Sequence, residues 1–243
     1  MQPQTARAPA EKSAHPLIQQ FVNFRFFAVD PAWRRLPAAE KERARGQFQE
    51  VVDRHGQRMI IMSYSLVGIR AEAHFMLWRI SESIEAFQEM SGEVNRTLLG
   101  AYLTNPYTYL SMTKRSTYVR EHEHEGGESS RLRITPGKSK YLFVYPFLKT
   151  RAWYALPMER RQQMMDAHIA VGHKYPSIKI HTTYSFGLDD QEFVLAFEGD
   201  RPSDFLDLVM ELRGSEASQY TLRDTPTFTC VRQDLSEILN QLG

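Results

Sequence analysis

The sequence has very little cysteine and almost no net charge. Cys230 is the only cysteine among 243 residues, which excludes an internal disulfide framework and a cysteine-rich metal site. Lysine and arginine together number 30 and aspartate and glutamate 29, a formal net charge of +1. This balance offers no basic face for duplex nucleic acid, so we expect no nucleic-acid partner. A single cysteine also suits a reducing compartment, and we expect a cytoplasmic protein.

Long apolar runs and nucleotide-binding motifs are also missing. No stretch approaches 18 uninterrupted apolar residues, so we expect no membrane insertion. Residues 1–16 lack the apolar core of a secretory signal, and we interpret them as a flexible N-terminal arm. The absence of GxGxxG, P-loop, HExxH and GxSxG elements argues against a nucleotide-binding fold and a serine hydrolase.

Aromatic residues are plentiful, and several residues recur at a spacing of 120 residues. Trp33 recurs as Trp153, and Pro106 recurs as Pro226. Strand-like and helix-like patterns follow the same order in both halves. In the first half we predict strands at Phe21–Val29, Met59–Val67, His74–Ile80 and Tyr107–Met112, with helices from Pro37 to Gly56 and over Ser83–Leu103. In the second half we predict strands at Tyr141–Leu148, Ser177–Phe186, Glu192–Phe197 and Thr227–Arg232, with helices from Pro157 to Gly172 and over Ser203–Arg213.

The pattern of each half therefore predicts the order βαββαβ, which is that of a ferredoxin-like unit. The fold class is α+β, with two such repeats joined into a dimeric α+β barrel-type body that carries its helices outside. We assign residues 17–120 to the first repeat, 121–140 to a linker and 141–243 to the second repeat.

The two halves can be compared with each other at the 120-residue spacing. Phe48 corresponds to His168, and Ile61 corresponds to His181. The second half thus places histidines where the first has large apolar residues, which predicts a functional site in the second half alone. Two further differences of this kind are Arg25 to Tyr145 and Val29 to Lys149.

His168 lies on the helix that follows Pro157, and Met164 and Met165 share its face. An imidazole among apolar side chains suits a ligand for a buried group such as haem. A hydrogen-bonded core histidine is the alternative, and the comparison with Phe48 brings the two interpretations near to even.

His181 lies on the next strand, thirteen residues after His168. Strand alternation places His181 and Thr183 on one face and Ile180 and Thr182 on the other. His181 could accept a proton from peroxide at a haem iron, or it could be an exposed strand histidine.

Four ordered strings, YPFLKTRAWYALP, ERRQQMMDAH, GLDDQEFVLAFE and MELRGSEASQY, resemble the chlorite dismutase-like family of haem proteins, which includes the coproheme decarboxylases. The resemblance covers most of the chain and is strongest over Tyr141–Tyr220. It implies paired ferredoxin-like repeats, a haem or iron-coproporphyrin cofactor and a homopentamer.

The resemblance also implies roles for individual residues. His168 matches the proximal iron ligand, and Glu216 matches the carboxylate that orients it. Tyr145 matches the tyrosine that forms a radical in the decarboxylases. Three further positions match propionate contacts, Lys149, Arg131 and, less closely, Ser218, while Trp153 matches a tryptophan of the pocket.

The distal residue stays open between Ile180, His181 and Thr183, because a one-residue gap shifts the match. Chlorite dismutases carry an arginine there, and Ser177–Phe186 contains none. We therefore expect a haem-dependent oxidoreductase that uses hydrogen peroxide to decarboxylate the porphyrin substrate coproheme to haem b. The alternatives are a chlorite dismutase or haem peroxidase-like enzyme and a non-catalytic haem-binding protein.

Overall fold

The computed structural model describes residues 19–118 and 133–243. The predicted N-terminal arm, most of the predicted linker and Arg131 lie outside these residues. The strands are β1 (Phe21–Val29), β2 (Ile60–Ser65), β3 (Phe75–Ser81), β4 (Leu103–Thr104), β5 (Thr108–Met112), β6 (Tyr141–Lys149), β7 (Lys179–Tyr184), β8 (Phe193–Gly199), β9 (Thr221–Arg223) and β10 (Phe228–Arg232).

The helices flank these strands in the same order in both halves. The α-helices of the described residues are α1 (Ala38–Gly56), α2 (Glu85–Asn95), α3 (Arg151–Ala155), α4 (Met158–Gly172), α5 (Pro202–Arg213) and α6 (Leu235–Gln241). Short 3-10 helices lie at Pro31–Arg35, Leu99–Tyr102 and Glu216–Tyr220. Among the described residues, no helix has both the length and the apolar character required to span a membrane.

The strands form one antiparallel sheet that returns on itself. The pairings run in the order β10, β2, β3, β1, β5, β7, β8 and β6, and β6 pairs again with β10. The two halves therefore meet at two places, through β5 with β7 and through β10 with β2. The short strands β4 and β9 pair with the ends of β1 and β6.

Each strand places alternate side chains on the inner and outer faces of this closed circuit. The inner face is filled by one buried apolar cluster drawn from both halves, which includes Phe24, Trp78, Val144, Ala196 and Phe228. The helices cover the outer face. Phe48 of helix α1 packs with Phe27 and Phe75 of the first-half strands. Ile238 and Leu239 of the last helix, α6, belong to the same buried cluster.

The local geometry repeats between the halves. The Asp30 N–H donates to the Tyr102 carbonyl oxygen at 2.8 Å, and the Thr150 N–H donates to that of Tyr220 at 2.8 Å. Trp33 lies 5.9 Å from Tyr102 between ring centroids, and Trp153 lies 5.6 Å from Tyr220.

The predicted α+β class is confirmed, and the predicted strands are present within a few residues. The predicted helix Ser83–Leu103 is shorter in the structure, since α2 ends at Asn95 and is followed by a 3-10 helix and β4. Among the described residues, three 3-10 helices, two strands and two α-helices were not predicted. The strands β4 and β9 and the helix α3 are too short to show a periodic pattern, and α6 was missed although its apolar residues follow helical spacing.

Candidate functional site

Strand β6 carries the candidate site on its outer face. Val144 belongs to the inner cluster, whereas Tyr145 packs on the outer side with Phe143 and Phe197. Because side chains alternate along a strand, Phe147 shares the face of Tyr145, and the Lys149 Nζ atom lies 5.4 Å from the centroid of the Phe147 ring. The second half therefore presents a phenol and an ammonium group to the helix layer.

Helix α4 lies over this face. It begins after Pro157, which suits the first turn because proline needs no hydrogen-bond acceptor there. Val171 packs with Phe143 and Phe197 on the outer face of the sheet, and Met164 packs with Trp153. His168 is four residues after Met164, on the same side of the helix. The helix thus directs the imidazole of His168 toward β6.

His168 has the properties of an available imidazole ligand. Burial, and secondly the charge of Lys149, lower the pKa of His168 to about 4. The ring is therefore neutral at pH 7, with a lone pair on one nitrogen. Its Nδ1 atom is buried and has no hydrogen-bond partner in the described part of the chain. A buried polar atom without a partner calls for an explanation. An imidazole that ligates a metal through one nitrogen keeps a hydrogen on the other, which a neighbouring acceptor then orients.

Lys149 presents a cation that no carboxylate pairs with in the described residues. Its Nζ donates to the Ala217 carbonyl oxygen at 2.7 Å and lies 4.5 Å from the centroid of the Trp153 ring. Burial lowers the pKa of Lys149 to about 8, against the opposing influence of Glu192. Such a partly desolvated ammonium group suits a carboxylate ligand.

Trp153 and its neighbours form the apolar side of the site. Trp153 is buried in a cluster with Met164 and Ala217. Tyr118 and Tyr220 contact the indole with ring centroids at 6.2 and 5.6 Å. This wall joins helices α3 and α4 to the 3-10 helix Glu216–Tyr220.

Tyr145 stacks on Phe197 with ring centroids 5.8 Å apart. Burial, followed by the charge of Asp224, raises the pKa of Tyr145, so its phenol stays protonated at physiological pH. Within the described residues its hydroxyl makes no hydrogen bond. The side chain is therefore held by its ring while its O–H group is available.

Glu216 and Ser218 both lie on the 3-10 helix beside α4. The Glu216 carboxylate pairs with the guanidinium of Arg160, and no hydrogen bond joins it to His168 in the described residues. Ser218 is half-buried and donates its backbone N–H to the Ser215 carbonyl oxygen at 3.0 Å. The predicted orienting role of Glu216 requires it to turn from Arg160 toward His168.

The structure places His181 away from this site, which corrects its sequence-based assignment. His181 pairs across the sheet with Ala196 of the inner cluster, and Ala196 pairs in turn with Val144. Its Nε2 lies 2.6 Å from an oxygen of Glu198, and its ring packs edge-on against Trp78 at 5.3 Å. His181 is thus a buried inner residue on the opposite face from Tyr145.

A one-residue difference in register explains the error. In the first half Ile61 pairs with Arg79, which pairs with Asn23. In the second half the corresponding row consists of Ile180, Phe197 and Phe143. The residue equivalent to Ile61 is therefore Ile180, and a slip of one residue exchanges the faces of a strand.

The side chains of β7 on the face of Tyr145 are Ile180, Thr182 and Tyr184, of which the first two are exposed. None of the three is a cation. Sequence reasoning also missed two residues beside Lys149, namely Glu192 and Tyr154, which share a hydrogen bond of 2.6 Å. Glu192 lies within the GLDDQEF string, but its partner is 38 residues away, so no local pattern reveals the contact.

The outer face of the second half thus combines a neutral imidazole, an ammonium group without an acidic partner in the described chain, a protonated phenol and an aromatic wall. The chain matches the sequence profile of the family described as Chlorite dismutase over residues 41–233. The protein belongs to this family.

Individual relatives agree with that placement. The chain is 30% identical to the coproheme decarboxylase of Mycolicibacterium smegmatis over 182 residues, which are 74% of this chain and 75% of the relative. A variant of chlorite dismutase from Candidatus Nitrospira defluvii is 26% identical with a TM-score of 0.84, and the match covers 92% of this chain and 94% of that one. A heme-binding protein from Thermus thermophilus shares the fold at 23% identity, with a TM-score of 0.82 and the same coverage.

Proposed function

We propose that this protein binds an iron porphyrin through His168 and oxidatively decarboxylates propionates of iron coproporphyrin, with hydrogen peroxide, to give haem b. The observation that carries the proposal is the position of Lys149, whose ammonium group lies on the face of Tyr145 and, after burial, contributes to the lowered pKa of His168. The identity to a coproheme decarboxylase supports the same conclusion.

The residues present fit an iron porphyrin that carries carboxylate groups. His168 offers a neutral imidazole, and we assign its Nε2 atom to the iron, so that Nδ1, which has no partner in the described chain, keeps a hydrogen for an acceptor. Glu216 is proposed to accept from the Nδ1–H and so to fix the ring, which strengthens an imidazole ligand.

The propionates require cationic and hydrogen-bonding partners on the same face. We assign Lys149 to a propionate, because its Nζ is held by a single carbonyl oxygen and the face of Trp153. Arg131 and Ser218 are proposed as further contacts on the strength of the resemblance alone. Trp153 supplies an apolar wall against the macrocycle.

Tyr145 is proposed to transfer hydrogen. The bound iron porphyrin supplies the oxidising equivalents of peroxide. Tyr145 loses its phenolic hydrogen atom and then takes one from the propionate chain, whose carboxylate leaves as carbon dioxide after the chain gives up a second electron. For each propionate, one hydrogen peroxide and one proton are consumed, and one vinyl group, one carbon dioxide and two waters are formed.

Reconstitution without oxygen tests the proposal. The protein is loaded with iron coproporphyrin III and titrated with hydrogen peroxide, and the porphyrins are identified by mass. We expect a three-propionate intermediate followed by haem b. If the wild-type protein yields neither, the proposed function is wrong. A Tyr145→Phe variant that keeps full activity would remove Tyr145 from the mechanism.

The similarity to chlorite dismutase structures makes chlorite the necessary second substrate to assay. The resemblance associates chlorite decomposition with an arginine on strand β7, and the face shared with Tyr145 instead presents Ile180, Thr182 and Tyr184. We therefore expect no rapid oxygen release from chlorite.

Tight haem binding without any peroxide reaction would instead indicate a haem-binding protein. The homopentamer stays a prediction that a solution mass measurement tests.

A further inference from the structure

Glu192 is a buried carboxylate at the start of strand β8, beside the candidate site. Its Oε2 atom accepts hydrogen bonds from the Lys149 backbone N–H at 2.8 Å and from the Tyr154 hydroxyl at 2.6 Å. These donors belong to the end of β6 and to helix α3. The Oε2 atom of Glu192 therefore links the end of β6, where Lys149 lies, to helix α3, where Trp153 lies.

The backbone at Lys149 departs from regular strand pairing. The register between β6 and β9 shifts between Leu148 and Lys149, and the Lys149 N–H donates to Glu192. A shift of this kind turns the next side chain and increases the local twist. The direction in which Lys149 leaves the strand thus depends on the group that binds its amide.

The first repeat contains the same connection with a different side chain. The His74 N–H donates to the Phe27 carbonyl oxygen at 2.8 Å, and the Glu192 N–H donates to that of Phe147 at 3.2 Å. Since Phe27 and Phe147 occupy matching positions of β1 and β6, His74 and Glu192 are structural equivalents. Their spacing is 118 residues, so the 120-residue comparison of the sequence does not align them.

The first repeat forms this connection without a carboxylate. There the Val29 N–H donates to Nδ1 of His74 at 3.1 Å. A neutral imidazole is therefore sufficient to bind the strand-end amide, and the fold does not require an acid. The carboxylate occurs in the repeat where Lys149 replaces Val29, which associates it with the ammonium group.

We propose that Glu192 is a positioning residue of the porphyrin site, which directs Lys149 across the face of Trp153 so that its ammonium group meets a propionate carboxylate. This inference rests on the proposed function. Besides Glu192, the groups around Lys149 are His168 from α4, the carbonyl of Ala217 from the 3-10 helix and the rings of Phe147 and Trp153. In the described residues, Glu192 accepts a hydrogen bond from the Lys149 backbone amide, and its charge opposes the lowering of the Lys149 pKa by burial. No hydrogen bond or ion pair joins its carboxylate to the Nζ atom there, so Nζ stays available to a ligand.

A double-mutant cycle between Glu192 and Lys149 tests this role. The affinity for iron coproporphyrin III is measured by absorption titration without peroxide, so that no turnover is needed. We expect Glu192→Leu to weaken binding about tenfold, the effect of a lost charge-assisted contact. Glu192→Gln keeps an acceptor oxygen and should bind within about threefold of wild type. In a Lys149→Met background, Glu192→Leu should cause no further loss.

Control variants distinguish a specific effect on the position of Lys149 from a general loss of folding or charge. Asp190→Asn removes a negative charge from an exposed position on the same connection and should leave affinity unchanged. If Glu192→Leu does not fold, Glu192→Met, whose side chain offers the Lys149 amide only a weak acceptor, takes its place in the cycle. Hydrogen exchange of the Lys149 amide gives a readout without porphyrin, and it should accelerate in the Leu variant.

The outcomes discriminate between the two proposals. Equal losses of affinity from Glu192→Leu in the wild-type and Lys149→Met backgrounds would show a merely structural residue and overturn the inference. Unchanged binding in the Leu variant would overturn it too. A wild-type protein that binds no iron coproporphyrin would instead overturn the proposed function, and this inference with it.

Discussion

The ammonium group of Lys149 lies 4.5 Å from the centroid of the Trp153 indole. A cation at this distance is attracted to the negative face of the ring. The first repeat has a buried tryptophan at the matching position, Trp33, but Val29 replaces the lysine. The two repeats thus share the aromatic wall, and only the second adds a charge to it.

Removal of this charge should affect binding more than folding. We expect Lys149→Met to weaken binding of iron coproporphyrin about 10- to 100-fold, the effect of losing a charge-assisted hydrogen bond. Stability should stay unchanged or rise, because a partly desolvated cation is replaced by an apolar side chain. Absorption titration and thermal unfolding measure the two effects. Lys41→Met, on helix α1 of the first repeat, is the control and should bind as wild type.

The pKa of His168 predicts a dependence of stability on pH in the porphyrin-free protein. Its folded value of about 4 lies below the unfolded value of about 6.5. The unfolded chain therefore binds the proton more tightly, so this contribution is complete above about pH 6.5 and is lost as the pH falls toward about 4. We expect the free energy of unfolding, measured with urea at about pH 7.5 and about pH 5, to fall more in wild type than in His168→Gln. Parallel changes in the two proteins would contradict the assignment.

The buried pair of His181 and Glu198 should be structural. Burial raises the pKa of Glu198, but its hydrogen bonds from His181 and from the Gly137 N–H outweigh this and lower it overall. Loss of one partner from a buried pair costs about 3 kcal/mol or more. We expect His181→Phe to reduce the free energy of unfolding by that amount. Decarboxylation per folded molecule should be unchanged, whereas a specific loss of peroxide reactivity would restore His181 as a catalytic candidate.

Gly137 packs directly on the same carboxylate. A Cβ atom at Gly137 would lie 2.6 Å from Oε2 of Glu198, a side chain that hydrogen bonds hold in place. We expect Gly137→Ala to destabilise the protein by about 1–3 kcal/mol, the usual cost of overpacking. Gly46→Ala on helix α1 faces open space and should instead stabilise by about 0.5–1 kcal/mol. Equal effects in chemical denaturation would contradict the close contact.

Much of the fold could be predicted because its signals are local. The apolar runs of β1 and β6 are long and continuous, and Pro37 and Pro157 mark helix starts. The register of strand pairing could not be predicted in this way, because it depends on partner strands far along the chain. The repeat spacing is 120 residues at Lys149 and 118 at Glu192, so a constant spacing assigned His181 to the wrong face.

The amino-acid sequence by itself determined the repeated βαββαβ order, the family and the second half as the place to search for a site. Periodicity and ordered strings of residues carry this information without reference to distant contacts. Only the tertiary structure decided which side chains share one face. It joined Tyr145, Lys149 and His168, moved His181 to the interior and brought Glu192 to Lys149, because each of these relations depends on strand register and helix packing between distant segments.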